Sequence, residues 1–95
     1  MDNNFKAYEE AAEILKALAH PVRLCIVKGL IQKRECNVTY MQECLNLPQS
    51  TVSQHLQKLR SMGIVEAERS GLEVKYRIAD DKINQLISIL FKEEM

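Results

Sequence analysis

Apolar residues return at helical intervals along most of this chain. Phe5, Tyr8, Ala12, Leu15 and Ala19 recur every three or four residues, with Glu9, Glu10, Glu13 and Lys16 mostly between them. That spacing predicts a first helix over about 4–17. His20-Pro21 breaks the pattern. Proline is disfavoured inside a helix and welcome at its first position, so a second helix is predicted over about 21–33. Its inward stripe is Leu24, Val27, Leu30 and Ile31, and Gln32-Lys33-Arg34-Glu35 reads as a polar connection. Asn37-Val38-Thr39 offers capping side chains ahead of Val38, Met41 and Leu45, a short third helix. The residue before Pro48 is pushed out of the α region, so that helix ends near Leu45. A fourth begins at Gln49 or Ser50 and runs to Met62, with Val52, Leu56 and Leu59 inward and Gly63 available as a left-handed stop.

The period then falls from 3.6 to 2. Ile64–Arg69 and Glu73–Ile78 alternate as two short strands around Ser70-Gly71-Leu72, a compact turn. Asp80 and Asp81 suit the positive end of a last helix, whose stripe is Ile83, Leu86, Ile87, Leu90 and Phe91. The expected order is α-α-α-α-β-β-α, a mostly α fold with a small β-hairpin. Ninety-five residues make one domain, 1–95, without repeat or linker.

Composition narrows the function. Lys plus Arg and Asp plus Glu are 13 each, a balance that by itself argues against nucleic acid. The distribution is uneven, however. Residues 19–35 carry Arg23, Lys28, Lys33 and Arg34 against Glu35, and residues 49–77 carry Lys58, Arg60, Arg69, Lys75 and Arg77 against Glu66, Glu68 and Glu73. Both ends of the chain are net acidic. A basic middle fits a phosphate partner, and apolar, acidic ends fit a second copy of the chain. No apolar run approaches the ~20 residues that span a bilayer, and Met1–Phe5 does not open a secretion signal. A cytoplasmic protein with no membrane contact is expected. Cys25, Cys36 and Cys44 are odd in number and form no C-x-x-C pair, which fits reduced thiols.

Val38 to Leu59 reads as a helix, a turn and a second helix with a polar outer face. Major-groove reading needs small donors and acceptors directed at base edges. Gln49, Ser50, Thr51, Ser53, Gln54 and His55 supply them, with Lys58 and Arg60 as phosphate partners. Arg69, Lys75 and Arg77 place further charge on the hairpin beside that helix. His20 is expected to cap the second helix. No acid, base and nucleophile gather in a catalytic order, so an enzyme is not expected.

Leu15–Leu24, with Ala19-His20-Pro21-Val22-Arg23 at its centre, is similar to the opening signature of ArsR/SmtB-family repressors. Leu47–Arg60 resembles their recognition helix, and Gly63-Ile64-Val65, Arg69-Ser70-Gly71 and Tyr76-Arg77-Ile78 resemble their wing. The resemblance implies a winged helix-turn-helix repressor that binds double-stranded DNA at a two-fold operator. It also implies a homodimer joined through the first and last helices. Phe5, Tyr8, Ala12, Leu15, Ile83, Leu86, Ile87, Leu90 and Phe91 are the expected interface.

Where that family places two metal-binding cysteines, this chain has Asn37 and Thr39, and Cys36 lies one residue early. One residue turns a helical side chain by about 100°. On the last helix Asp80 matches one ligand of another family site, but Lys82 stands where histidine is expected. No metal site and no cofactor are therefore expected, and the chain resembles the members of the family that lack metal sites. A redox pair is also incomplete, since the last helix holds no cysteine. Cys25 and Cys44 are expected to pack as small hydrophobes. Cys36 is the most exposed candidate for a redox thiol, with Arg34 the cation beside it. Two alternatives stay open: a winged helix that binds a protein partner, and a thiol-responsive repressor acting through Cys36. For a repressor without a sensing site the simplest mechanism is constitutive binding, with control from protein amount or from a regulatory protein partner.

Overall fold

A computed structural model describes residues 2–91. Helix α1 spans Phe5–Leu18, α2 Pro21–Lys33, α3 Val38–Leu45, α4 Gln49–Ser61 and α5 Asp81–Leu90. The strands are β1 Cys36–Asn37, β2 Val65–Ser70 and β3 Glu73–Ile78, in the sheet order β1-β3-β2. The helices match the apolar periodicity to within about a residue at each end.

Local chemistry sets the helix starts. Asn4 accepts from the Ala7 N–H, Asn37 from the Tyr40 N–H at 2.8 Å, and Asp80 from the Lys82 N–H at 3.0 Å. His20 Nδ1 accepts from the Val22 N–H at 3.1 Å, with Pro21 first in α2. Each side chain takes up one of the N–H groups that a helix start leaves unpaired. The end of α4 is a Schellman turn. Gly63 has φ +73°, the Gly63 N–H donates to the Arg60 carbonyl, and the Ile64 N–H donates to the Leu59 carbonyl, both at 3.0 Å.

The structure adds a strand to the expected order. β1 pairs antiparallel with β3, Cys36 opposite Tyr76 and Asn37 opposite Lys75. The expected hairpin thus supplies the central strand β3 and one edge strand β2 of a three-stranded sheet. Two residues are too few to show a period of two, and their extended shape comes from the neighbouring strand. The Asn37 amide also donates to the Glu73 carboxylate, fastening the start of α3 to the wing.

Val52, Leu56 and Leu59 of α4 are almost completely buried, together with Val27 and Leu30 of α2, Ile64, and Ile83 of α5. By contrast, only Ala17 and Leu18 of α1 are buried. Phe5, Tyr8 and Leu15 stay 69%, 51% and 55% exposed, an apolar stripe that the protomer itself does not cover.

On α5 the expected interface divides. Ile83 and Ile87 are 2% exposed within the protomer and belong to its core, so they have almost no area left for a partner. Leu86 and Phe91 are partly buried against that core, and the Lys28 Nζ sits 4.8 Å from the centre of the Phe91 ring. The exposed apolar residues at this end are Leu90 and Ile89, the latter off the stripe read from the sequence.

Stability tests follow from the Schellman glycine and from a histidine pair. Gly63→Ala puts a Cβ on a left-handed residue and should cost about 1–2 kcal/mol in urea unfolding. The His20 and His55 rings lie 4.6 Å apart, tilted at 53°. Burial, then the neighbouring His20 and Arg23, hold the His55 imidazole below its ordinary value of 6.5. The unfolded chain therefore takes up a proton at higher pH than the folded one. Stability contributed here is present above about pH 6.5 and is lost as pH falls below it. The melting temperature should drop between pH 7 and pH 5, and His55→Gln should show a smaller drop; an equal drop would exclude this origin.

Candidate nucleic-acid interface

The turn between α3 and α4 fixes how α4 begins and which side it presents outward. Asn46 adopts the left-handed conformation (φ 55°, ψ 47°) and its N–H donates to the Gln42 carbonyl. Pro48 then sets the start of α4, where the Thr51 N–H and Val52 N–H donate to its carbonyl. Asparagine tolerates the left-handed region better than most residues, which allows so short a turn. With Val52, Leu56 and Leu59 held inward, helical geometry turns Ser50, Gln54 and Gln57 to the opposite side.

Gln49, Ser50, Ser53, Gln54, Lys58 and Arg60 are all exposed. Thr51 and His55 are half-buried, and the His55 ring lies against His20. His55 thus sits at the seam between α4 and the start of α2. Gln57 is also exposed and stands on the outer line of α4. Lys58 and Arg60 fall in the last turn of α4, where cations complement the negative end of the helix.

The wing has a different electrostatic character from its cation count. Arg77 Nε donates to Glu66 at 2.7 Å, and Arg77 Nη1 donates to Glu68 at 2.8 Å. That contact holds the Glu68 carboxyl below its ordinary value. Lys75 Nζ lies 3.3 Å from a Glu35 oxygen. Both cations therefore brace the wing and its junction with α2. Among the described residues Arg69 has no carboxylate within ion-pair distance, and the same holds for Lys58 and Arg60. At the tip, Gly71 has φ +67° and Leu72 is wholly exposed. A trough of about 510 Å³ separates the wing tip from the helix pair, with Thr39, Gln49, Ser70 and Leu72 on its walls. It gathers the start of α4 and the wing tip on one concave side of the molecule.

The cysteines are placed differently from the sequence expectation. Cys25 and Cys44 are exposed and Cys36 is half-buried, so Cys36 is the least accessible of the three. Cys36 lies in β1 opposite Tyr76, which corrects the expectation that it is the most exposed of the three thiols. Burial pushes the Cys36 thiol up, only partly offset by Lys33, so the thiolate is disfavoured. The relevant cation is Lys33. Arg34 sits beyond the end of α2 with φ +76°. Among the described residues no three His, Cys, Asp or Glu side chains are gathered to hold a metal ion, and no helix is long and apolar enough to cross a membrane.

Comparison with known proteins agrees with this geometry. Residues 20–67 match the sequence profile of the family described as bacterial regulatory protein, arsR family. The chain is 44% identical over 86 residues to the transcriptional repressor PagR of Bacillus anthracis, which covers 90% of this chain and 86% of PagR. The PagR crystal structure superposes with a TM-score of 0.84 over 92% of this chain and 99% of that one. The HTH-type transcriptional repressor SmtB of Mycobacterium tuberculosis is 44% identical over 79 residues, covering 83% of this chain but only 58% of SmtB. The homodimeric winged helix-turn-helix domain Mb0332 of Mycobacterium bovis is 32% identical with a TM-score of 0.83, covering 95% of this chain and 82% of that one. With residues 20–67 matched by the family profile and these relatives covering most of its length, this chain belongs to the ArsR family of bacterial transcriptional regulators.

Proposed function

We propose that this chain is a cytoplasmic homodimeric repressor that occupies a two-fold operator in double-stranded DNA. It acts by binding and not by catalysis, and without the metal-sensing sites typical of its family. One observation carries this reading: the outer face of α4 is polar, exposed and free of acidic side chains, while its inner face is locked in the core. A helix fits the major groove, and residues at its start reach base edges. Gln49, Ser50, Ser53 and Gln54 are the base-reading candidates, joined by Gln57. Thr51 and His55 stand at the edge of this surface. Lys58, Arg60 and Arg69 neutralise phosphates, while Lys75 and Arg77 hold the wing in shape. The uncovered stripe on α1 and the exposed Leu90 and Ile89 on α5 form the dimer contact.

A protein-interaction module would use the same surface, and gel shift at two salt concentrations separates the two readings. Gln54→Ala should cost ~1–3 kcal/mol of discrimination between operator and non-operator duplex. Arg69→Ala should weaken all duplexes alike and reduce the log-log salt slope by about one unit. Arg77→Ala should change that slope less than Arg69→Ala. A protein that shifts no duplex at either salt would instead support the protein-partner reading.

Dimerisation has its own test. Leu90 is 58% exposed, so Leu90→Asp should spare the protomer fold. It places a charge where apolar contact is needed, and sedimentation should show a folded monomer. A dimer of undiminished stability would refute the α5 contact.

A further inference from the structure

A glycine stands in the middle of α2 with no demand for it inside the protomer. Gly29 does not have positive φ, and a Cβ built there meets no atom within 4 Å. Glycine inside a helix is less stable than alanine. The space above Gly29 is a groove of about 310 Å³ between α2 and α3. Ligand pockets begin at about that size.

All three cysteines line this groove, Cys25 from α2, Cys36 from β1 and Cys44 from α3. Ile26, Leu30 and Met41 are its buried floor. Uncharged thiols act as small, polarisable hydrophobes, so the body of the groove favours an apolar occupant. Its mouth is different. Lys33 and Tyr40 stand there, with the Lys33 Nζ 4.7 Å from the centre of the Tyr40 ring. The same two residues and Cys36 also border a polar cleft of about 210 Å³ that contains Glu35 and Lys75. Glu35 and Lys75 pair with each other at 3.3 Å. Among the described residues Lys33 has no carboxylate partner, so it is the surplus cation where the apolar groove meets the polar cleft. One cation with Glu35 close by suits a single negative charge and disfavours a polyanion such as a phosphate ester.

We propose that the groove between α2 and α3 binds a small amphipathic carboxylic acid, its apolar body over Gly29 among the three thiols and its carboxylate on the Lys33 ammonium. The position is suited to regulation. Helix α3 packs on α4, and β1, which supplies Cys36, pairs with wing strand β3. An occupant that changes the spacing of α2 and α3 moves both DNA-facing parts. It alters operator affinity to the extent that it binds the free and DNA-bound shapes unequally. This regulatory consequence rests on the DNA-binding reading; the binding site itself does not.

The test uses octanoate as probe on the full-length protein without DNA, with octanol as the uncharged control, by calorimetric titration. Saturable octanoate binding is expected. Lys33→Gln should weaken octanoate about tenfold and leave octanol unchanged. Gly29→Leu fills the groove with a good helix former and should abolish octanoate binding, with circular dichroism and sedimentation unchanged. Operator affinity of the parent protein should then shift with octanoate, and that of Gly29→Leu should not. Absence of saturable binding, or equal binding by Gly29→Leu, overturns the proposal. A Gly29→Leu protein that is folded but monomeric also overturns it, by showing that a second copy occupies the groove. Octanoate binding with the expected variant pattern, in a protein that shifts no duplex, supports the site and refutes the DNA reading instead.

Discussion

The structure depends on the burial of one helix stripe. Val52, Leu56 and Leu59 are the inward line of α4, each at most 1% exposed. They lock the rotation of α4 about its own axis. Each fully buried side chain of this kind contributes about 1.5–3 kcal/mol relative to leaving it exposed. A rotation that brought Gln54 inward would bury an unpaired amide and expose leucine. The outward direction of Ser50, Gln54 and Gln57 is therefore a consequence of core packing. The surface proposed to read DNA is thus the polar remainder of a helix whose other side is fixed.

Around that helix the chain spends its charges locally. The wing holds equal numbers of cations and carboxylates, and Arg77 is shared between Glu66 and Glu68. Exposed ion pairs of this kind contribute little to stability, about 0–1 kcal/mol. Their larger effect is geometric, since they set the direction of the wing strands and leave Arg69 as the cation near the tip. That arrangement reconciles a chain of zero formal net charge with the phosphate contacts proposed for Lys58, Arg60 and Arg69.

Much of this was legible in the sequence because it rests on local rules. The helix starts at His20, Asn37 and Asp80 follow from capping side chains, and the stop at Gly63 follows from its lack of a Cβ. The α4 stripe and the polar face opposite it were readable from a period of 3.6. What escaped was set by contacts distant in sequence. Strand β1 is extended because β3 lies beside it, and this buries Cys36 and reverses its ranking among the thiols. The α5 stripe was correct as a stripe but did not show which neighbour each residue meets, so Ile83 and Ile87 were assigned to a partner although they fill the protomer core. Ile89 lies off the stripe and gave no signal. The pairing of Lys75 with Glu35 spans forty residues and could not be read from spacing.

On the proposed function, two copies of this chain present their α4 helices to one face of a duplex. The most direct measurement selects bound sequences from a random duplex pool and maps the protection on the winner by hydroxyl-radical footprinting. A two-fold repressor should yield an enriched, symmetric site whose half-sites lie about 10–10.5 base pairs apart or a multiple of that, the spacing of successive major grooves. A pool that yields no enriched sequence, or a single unsymmetrical half-site occupied by one protomer, would contradict it.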